Sequence, residues 1–347
     1  MSSFDEFYAT AAATVVAYLP YLAYAFAASA SCTFLLPCLY RMFLYPQDLK
    51  KKYGAEWAIV TGGSSGIGKA LVGELLKQGL NVLIVAMDDP LLRQTTAEYQ
   101  GQYPDLKVIP VPCNLGEPGY MEKLDEYTKD KDVQLLFCNA GFMMTGFYTS
   151  KPMKAHLVNY NCNVTCHIEM AHEYVKRMQE ANLPGCVVFT GSPASFLPSP
   201  FCVLYGSTKA FLTEFATSLS CEVRADNIDV SIIHPSPVTT RFYEKADKID
   251  EIKFFMKTST TPLTLAKALL AAPGRLVIYN QGYYPFLARL LLMFVDRAFL
   301  SEIMARTAHT LPSYKVIKAS MQAKTSQTKK PKKTSSRRAK SRSRKNK

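Results

Sequence analysis

Thr61-Gly62-Gly63-Ser64-Ser65-Gly66-Ile67-Gly68 decides how the rest of this 347-residue chain is read. Before it, residues 57–61 form an apolar, β-rich run of strand length; after it, residues 69–78 have the pattern of an amphipathic helix. Glycines at 62, 66 and 68 let the backbone turn sharply between the two elements and come close to a ligand. Where such a loop opens a helix, unpaired N–H groups and the positive end of the helix dipole favour a pyrophosphate.

Working outward, residues 81–86, 107–111, 133–138, 187–190, 230–234 and 276–279 also read as strands, most of them almost wholly apolar. Strands buried on both faces and separated by helix-length segments specify a doubly wound parallel sheet, an α/β Rossmann-type fold in a single domain. Ligands bind such sheets at the carboxyl ends of the strands.

Four Tyr-x-x-x-Lys pairs occur: Tyr103/Lys107, Tyr127/Lys131, Tyr205/Lys209 and Tyr314/Lys318. On a helix this spacing stands an ammonium beside a phenol, where its charge favours the phenolate. Tyr205 has Ser192 thirteen residues before it, directly after a strand; Tyr314 has Ser301 at the same offset, but inside an amphipathic helical stretch, 297–306. Tyr103 precedes Pro104, and Tyr127 lies on an acidic and lysine-rich face. Context therefore selects Tyr205 and Lys209.

The net charge of +13 belongs to one end of the chain: twelve Lys and Arg with no acid fall between Lys324 and Lys347 and account for all but one of it. That segment has no apolar run to bury, so it reads as a disordered tail suited to anionic lipid headgroups; with no aromatic residues among its charges, nucleic acid is a poor partner. Nine cysteines without a C-x-x-C pair, and dispersed histidines, give neither a disulfide framework nor a metal site. Residues 7–40 carry no formal charge, and Arg41 and Lys50 to Lys52 follow them. About 20 apolar residues span a bilayer, so one crossing with the remainder of the chain cytosolic is expected. Ala28-Ser29-Ala30 resembles a signal-peptide cleavage site, but Asp5 and Glu6 precede the apolar run where a signal peptide carries positive charge.

Taken in order, the glycine loop, Asn139-Ala140-Gly141 after the fourth strand, then Ser192, Tyr205 and Lys209, and the turn Pro235-Ser236-Pro237-Val238-Thr239-Thr240 resemble the motif set of the short-chain dehydrogenase/reductase family. The resemblance implies hydride transfer between a nicotinamide and a carbonyl or alcohol. Tyr205 would be the general acid/base, Ser192 would orient the substrate oxygen, and Lys209 would tune the phenol and hold the cofactor ribose. Asn163 would be the fourth member, relaying protons to the lysine, with Asn159 and Asn161 close by. Cofactor contacts are implied at Gly62, Ser64, Ser65, Gly66, Ile67, Gly68, Asp88, Asn114, Asn139, Ala140, Gly141, Pro235, Val238 and Thr240, together with Tyr205 and Lys209. Asp88 suits a ribose 2′-hydroxyl, yet it lies two residues beyond the usual acidic position, and Met87 stands where relatives using NADPH have Arg; NADP(H) and NAD(H) are equally expected.

The apolar N-terminus followed by Asp48 to Gly54 is similar to the membrane-bound 3-oxoacyl-CoA reductases and 17β-hydroxysteroid dehydrogenases of the endoplasmic reticulum within that family. This resemblance implies a lipophilic substrate, a 3-oxoacyl-CoA of fatty-acid elongation before a steroid, retinol or other lipid alcohol, and a single-pass endoplasmic reticulum protein. Arg344-Lys345-Asn346-Lys347 resembles a dilysine retrieval signal. The expected organisation is a membrane anchor at 1–44, a catalytic domain at 45–280, an amphipathic membrane-facing segment at 281–320 and a basic tail at 321–347. Phe254, Phe255 and Met256 are candidates to line an acyl chain, and a homodimer is compatible with the reading. A non-catalytic dinucleotide-binding scaffold is the competing class; it would require a damaged tetrad.

Overall fold

The computed structural model describes residues 3–243 and 256–328. Seven parallel strands form one sheet: β1 (Trp57–Thr61), β2 (Asn81–Ala86), β3 (Val108–Pro112), β4 (Val133–Cys138), β5 (Gly185–Thr190), β6 (Ile228–Pro235) and β7 (Ile278–Gln281). Their order is β3-β2-β1-β4-β5-β6-β7, so the connection reverses direction between β1 and β4. All seven runs expected from sequence are strands, and the doubly wound α/β fold is the one found. Strand β4 is buried at every residue, as a central strand covered on both faces requires.

The first helix, α1 (Ser3–Met42), is one continuous element with Pro20 and Pro37 inside it. The chain continues through α2 (Leu49–Tyr53), α3 (Gly66–Lys77), α4 (Pro90–Gln102), α5 (Tyr120–Thr128), α6 (Met153–Tyr160), α7 (Cys166–Glu180) and α8 (Val203–Val223). Helices α9 (Pro262–Ala271), α10 (Tyr283–Phe294), α11 (Arg297–Thr307) and α12 (Pro312–Thr328) complete the described chain. Two apolar cores cover the two sheet faces: α3 and α9 pack on one, α5, α7 and α8 on the other.

The sheet positions the site through a buried hydroxyl at the reversal. Thr61 Oγ1 accepts the N–H of Asn139 at 2.8 Å and that of Ala140 at 2.9 Å. Asn139 Nδ2 donates to Thr61 O at 3.1 Å, and Thr190 Oγ1 to Asn139 Oδ1 at 3.1 Å. The carboxyl ends of β1, β4 and β5 are thereby tied edge to edge.

Two details of the C-terminal part were not visible in the sequence. The tail expected to begin at 321 starts inside α12, because Ser313, Ile317 and Met321 recur at one helical face and Ile317 packs with Phe201 and Tyr314. A charge-based boundary overlooks that short apolar stripe. The segment 281–320 is broken into α10, α11 and the start of α12, and α10 exposes Tyr283, Leu287, Leu291 and Phe294 along one side while burying Pro285 and Ala288. Phe254, Phe255 and the basic residues 329–347, the retrieval-like Arg344 to Lys347 among them, lie outside the described residues.

Thr61→Val keeps the shape of the side chain but leaves two buried N–H groups without an acceptor. It is expected to cost about 2–4 kcal/mol, read as a lower denaturation midpoint of the detergent-solubilised chain; an unchanged midpoint would show that the tie is dispensable.

Candidate active site

The glycine loop turns with Gly62 at φ +65° and Gly66 at φ +54°, conformations that favour glycine. A Cβ at Gly68 would overlap Gly62 O, and one at Gly66 would lie 3.1 Å from Thr240 Cγ2. The loop therefore folds tightly on itself, with the turn after β6 closing its outer side. Ser65 begins α3 without capping it by its side chain, which leaves the first N–H groups of the helix facing the loop. Ser64, Ser65, Gly66 and Ile67 are partly exposed there. This cradle fits a pyrophosphate, which needs a close backbone and unpaired N–H donors.

Four side chains meet beyond it. Lys209, 4% exposed, sends Nζ to Thr190 O at 2.8 Å. The ammonium stands 5.9 Å from the Tyr205 ring centroid, and the Ser192 side chain lies near enough to Tyr205 to pull its phenol down. Ser192 Oγ also accepts the Ala194 N–H at 3.2 Å, which orients it. Asn163 lies in a π-helical turn, Asn161–Thr165, between α6 and α7. A Cβ on Gly141 would fall 2.9 Å from Asn163 Oδ1 and 3.7 Å from Lys209 Nζ, so the Asn139-Ala140-Gly141 turn separates these two only by a glycine.

The Tyr314/Lys318 pair reproduces the same local geometry, with Nζ 5.6 Å from the ring centroid. Spacing alone thus yields the cation over the ring wherever a helix carries it. Lys318 is exposed, whereas Lys209 is buried against a strand end. Burial distinguishes them.

The sequence reading had Lys209 lowering the phenol; in the structure desolvation wins over it. Burial pushes Tyr205 up to about 12, against the downward pull of the Ser192 hydroxyl. Burial likewise brings Lys209 down to about 8, with the thiols of Cys162, Cys166 and Cys138 acting in the opposite sense. Both groups are pushed toward their neutral forms.

Asn163 also differs in detail from the expected relay. Its Oδ1 accepts the Phe142 N–H at 3.0 Å, and its Nδ2 donates to Phe142 O at 3.0 Å and to Thr208 Oγ1 at 3.4 Å. Its amide is a brace between the turn after β4 and helix α8. Asn161 instead donates to Gly116 O, away from Lys209, and Asn159 to Phe142 O.

Of the cofactor residues expected from sequence, Thr240 is brought to the glycine loop, and Asn139 and Ala140 are engaged by Thr61. Asn114 Oδ1 accepts the Gly116 N–H at 3.0 Å, so its carbonyl is spent on a local turn. Val238 is buried and Pro235 partly so. Ser236, where relatives have Gly, accepts the Tyr284 N–H at 3.1 Å and so pairs the start of α10. Gly282, at φ +89°, supplies the room this requires.

Arg93 was not singled out by sequence. It comes from the first turn of α4 and lies 3.3 Å from Asp88, both side chains exposed. An Arg five residues after Asp88, on a helix that returns toward it, was the available signal.

A nucleotide cradle, a Ser–Tyr–Lys cluster and a sheet reversal in one place define a dinucleotide-dependent oxidoreductase. The sequence profile of the short chain dehydrogenase family matches residues 56–250, and the chain belongs to that family. As a member it acts between CH–OH and C=O with NAD(P)(H). It is 28% identical over 237 residues to a very-long-chain 3-oxoacyl-CoA reductase-like protein of Arabidopsis thaliana, covering 67% of this chain and 74% of that protein. It is 28% identical over 216 residues to a 7beta-hydroxysteroid dehydrogenase of Mediterraneibacter gnavus, covering 62% and 81%. Among solved structures, a short-chain dehydrogenase from Sphingobium yanoikuyae in complex with NADPH superposes with a TM-score of 0.58 at 21% identity, over 65% of this chain and 87% of that one.

A depressed lysine pKa means that the folded state releases this proton before the unfolded chain does. Stability contributed at Lys209 therefore rises with pH between about 8 and the ordinary 10.5. In thermal unfolding, wild type should gain on Lys209→Met across that window; a constant difference would show that Lys209 is not desolvated.

Proposed function

We propose that the chain reduces the carbonyl of a lipophilic substrate, most readily a long-chain 3-oxoacyl-CoA, with Tyr205 as proton donor. The observation that carries this reading is the convergence of Tyr205, Ser192 and buried Lys209 beside an uncapped helix N-terminus. When bound, the reduced nicotinamide supplies the hydride. The chain's residues handle the oxygen: as the carbonyl carbon gains the hydride pair, negative charge develops on oxygen and the Tyr205 hydroxyl gives it the proton. Ser192 Oγ donates to the same oxygen and fixes its direction. Lys209, hydrogen-bonded to Thr190, holds a cation beside the phenolate that Tyr205 becomes. Asn163 keeps the Phe142 turn against Thr208, so that Lys209 retains its place. In the reverse direction Tyr205 accepts the proton of the alcohol.

Aromatic side chains around Tyr205 support an apolar substrate. Phe242 lies 5.7 Å from its ring and 5.1 Å from the ring of Tyr243, which in turn feels the phenols of Tyr205 and of Tyr284 on α10. A hydroxysteroid is the second reading, favoured by the same aromatic collar and by the 7beta-hydroxysteroid dehydrogenase similarity. The cradle carries both nicotinamide cofactors, and Arg93 favours NADPH: it neutralises Asp88 and offers a guanidinium to a 2′-phosphate.

The proposal includes a membrane anchor. Helix α1, at a rise of about 1.5 Å per residue, is longer than the ~30 Å hydrocarbon layer, and its most apolar 18-residue stretch has a mean hydropathy of 1.6 with the apolar surface exposed. Its lower end touches the catalytic part: Phe34 packs 5.5 Å from Phe286 of α10, and Arg41 Nη1 donates to Asn280 O at 3.4 Å. Arg41 and Lys50 to Lys52, following the apolar run, support a cytosolic catalytic part in the endoplasmic reticulum, and the exposed apolar side of α10 supports its lying at the membrane interface. The basic residues after 328 would meet anionic headgroups.

Turnover of a panel of 3-oxoacyl-CoAs and hydroxysteroids with each cofactor tests the reading. Tyr205→Phe should lose about 10²- to 10⁴-fold in kcat; equal rates would refute the assignment. Arg93→Ala should raise KM for NADPH about tenfold, the loss of one charge-assisted contact, and leave KM for NADH unchanged. Equal effects on both cofactors would remove Arg93 from the 2′ position.

A further inference from the structure

The backbone carrying Ser192 is held from behind by a buried imidazole. His234, the residue before the turn at Pro235, is fully buried, with Nδ1 3.1 Å from Ser192 O. Gly191 makes this approach possible, since a Cβ there would lie 2.6 Å from His234 Nδ1 and 2.8 Å from Cε1. The edge of the ring pair with Phe196, at 4.7 Å and 62°, closes the other side. Ser192 O also accepts from the N–H and hydroxyl of Ser195, at 3.0 and 2.7 Å. Two residues earlier in the chain Lys209 takes Thr190 O, so the segment from Thr190 to Ser192 is clamped from α8 on one side and β6 on the other.

A carbonyl only accepts, so the contact requires the proton on Nδ1. In a neutral imidazole Nε2 is then an acceptor, and His234 Nε2 is buried without a protein partner. His234 is neutral because burial, with the charges of Lys209 and Arg289, brings it down to about 3. In register with it on β7 is Asn280, 4% exposed, whose Nδ2 and Oδ1 are likewise buried without partners. In-register residues of neighbouring strands present their side chains to the same face, within about 5.5 Å at Cβ. An orphaned donor and an orphaned acceptor therefore share this face without bonding each other, a spacing that one bridging water can close.

We propose that His234 and Asn280 are positioning residues for Ser192: Asn280 Nδ2 holds His234 in the Nδ1–H form, and His234 then holds the Ser192 backbone so that its hydroxyl faces Tyr205. The role rests on the reading of Ser192 and Tyr205 as the reacting pair. His234 touches no substrate; it acts through Ser192. His167 shows the opposite arrangement, with Nε2 2.9 Å from Ala140 O and Nδ1 unpartnered, which gives an internal contrast.

Two measurements on the full chain in detergent test this. In ¹⁵N-histidine spectra His234 should show the neutral Nδ1–H tautomer from pH 5 to 8, and Asn280→Leu should mix the two tautomers; an Nε2–H signature in wild type overturns the proposal. In kinetics with a long-chain 3-oxoacyl-CoA and NADPH, His234→Leu should lower kcat about tenfold with KM for NADPH unchanged. It should also raise the pH midpoint assigned to Tyr205, because Ser192 pulls that phenol down. The groups around Tyr205 that set this midpoint are Ser192, Cys202 and Lys209, with Tyr243 beside it and Tyr284 next to Tyr243. His234→Asn, which places an amide N–H near the Nδ1 position, should recover most of the rate and the original midpoint. Equal losses in the Leu and Asn variants with an unmoved midpoint would reduce His234 to packing and overturn the positioning role. Wild-type rates in Ser192→Ala and Tyr205→Phe would instead overturn the catalytic reading itself.

Discussion

The bond pair from Thr61 Oγ1 to the N–H groups of Asn139 and Ala140 holds the carboxyl ends of β1 and β4 together at the point where the sheet reverses. Every part of the site is referred to that tie. The glycine loop leaves from Thr61, and the Asn139-Ala140-Gly141 turn leaves from β4. Asn139 passes the constraint to Thr190, whose carbonyl receives Lys209. A reversal opens a crevice in any doubly wound sheet; here a chain of buried polar bonds decides which side chains stand in it.

Desolvation sets the electrostatics of the cluster. Tyr205 is raised to about 12 and Lys209 lowered to about 8 by the same burial, so the pair carries less charge than free side chains would. A proton donor held neutral near the oxygen that develops charge is suited to reduction, and the neighbouring Ser192 hydroxyl moderates the rise. Buried thiols around Lys209 stay protonated, since burial pushes Cys162 up to about 11 and Cys138 and Cys166 higher. They shape the lysine's surroundings without competing for its proton.

Much of this was legible in the sequence. Doubly buried strands announce themselves as apolar runs, and the glycine loop, Ser192, Tyr205 and Lys209 carry spacing and context that survive without coordinates. Three features were not legible. The direction of the Tyr205 shift depends on burial, which no spacing reveals. The role of Asn163 depends on a π-helical turn that aims its amide at Phe142. The pairings of Arg93 with Asp88, and of His234 with Ser192, join residues from different elements and become visible only once the sheet brings their ends together. That α12 runs through residue 321 was illegible for a related reason: a short face buried at Ser313 and Ile317 suffices for a helix inside a segment of polar composition.

Helix α1 and the catalytic part meet through Phe34, Phe286 and Arg41, and α10 runs from that contact toward the aromatic residues beside Tyr205. The proposed membrane face and the reacting groups are thus ends of one structural path. The central claim is that the nucleotide lies over the N-terminus of α3 with Ser192 and Tyr205 facing one substrate oxygen. An experimental structure of the full chain with NADP⁺ and a 3-hydroxyacyl-CoA tests it most directly. The pyrophosphate is expected on the loop from Gly62 to Gly68 and the hydroxyl oxygen in hydrogen-bond reach of both Ser192 Oγ and Tyr205 Oη; a nucleotide bound elsewhere, or a hydroxyl directed away from Tyr205, would contradict this placement.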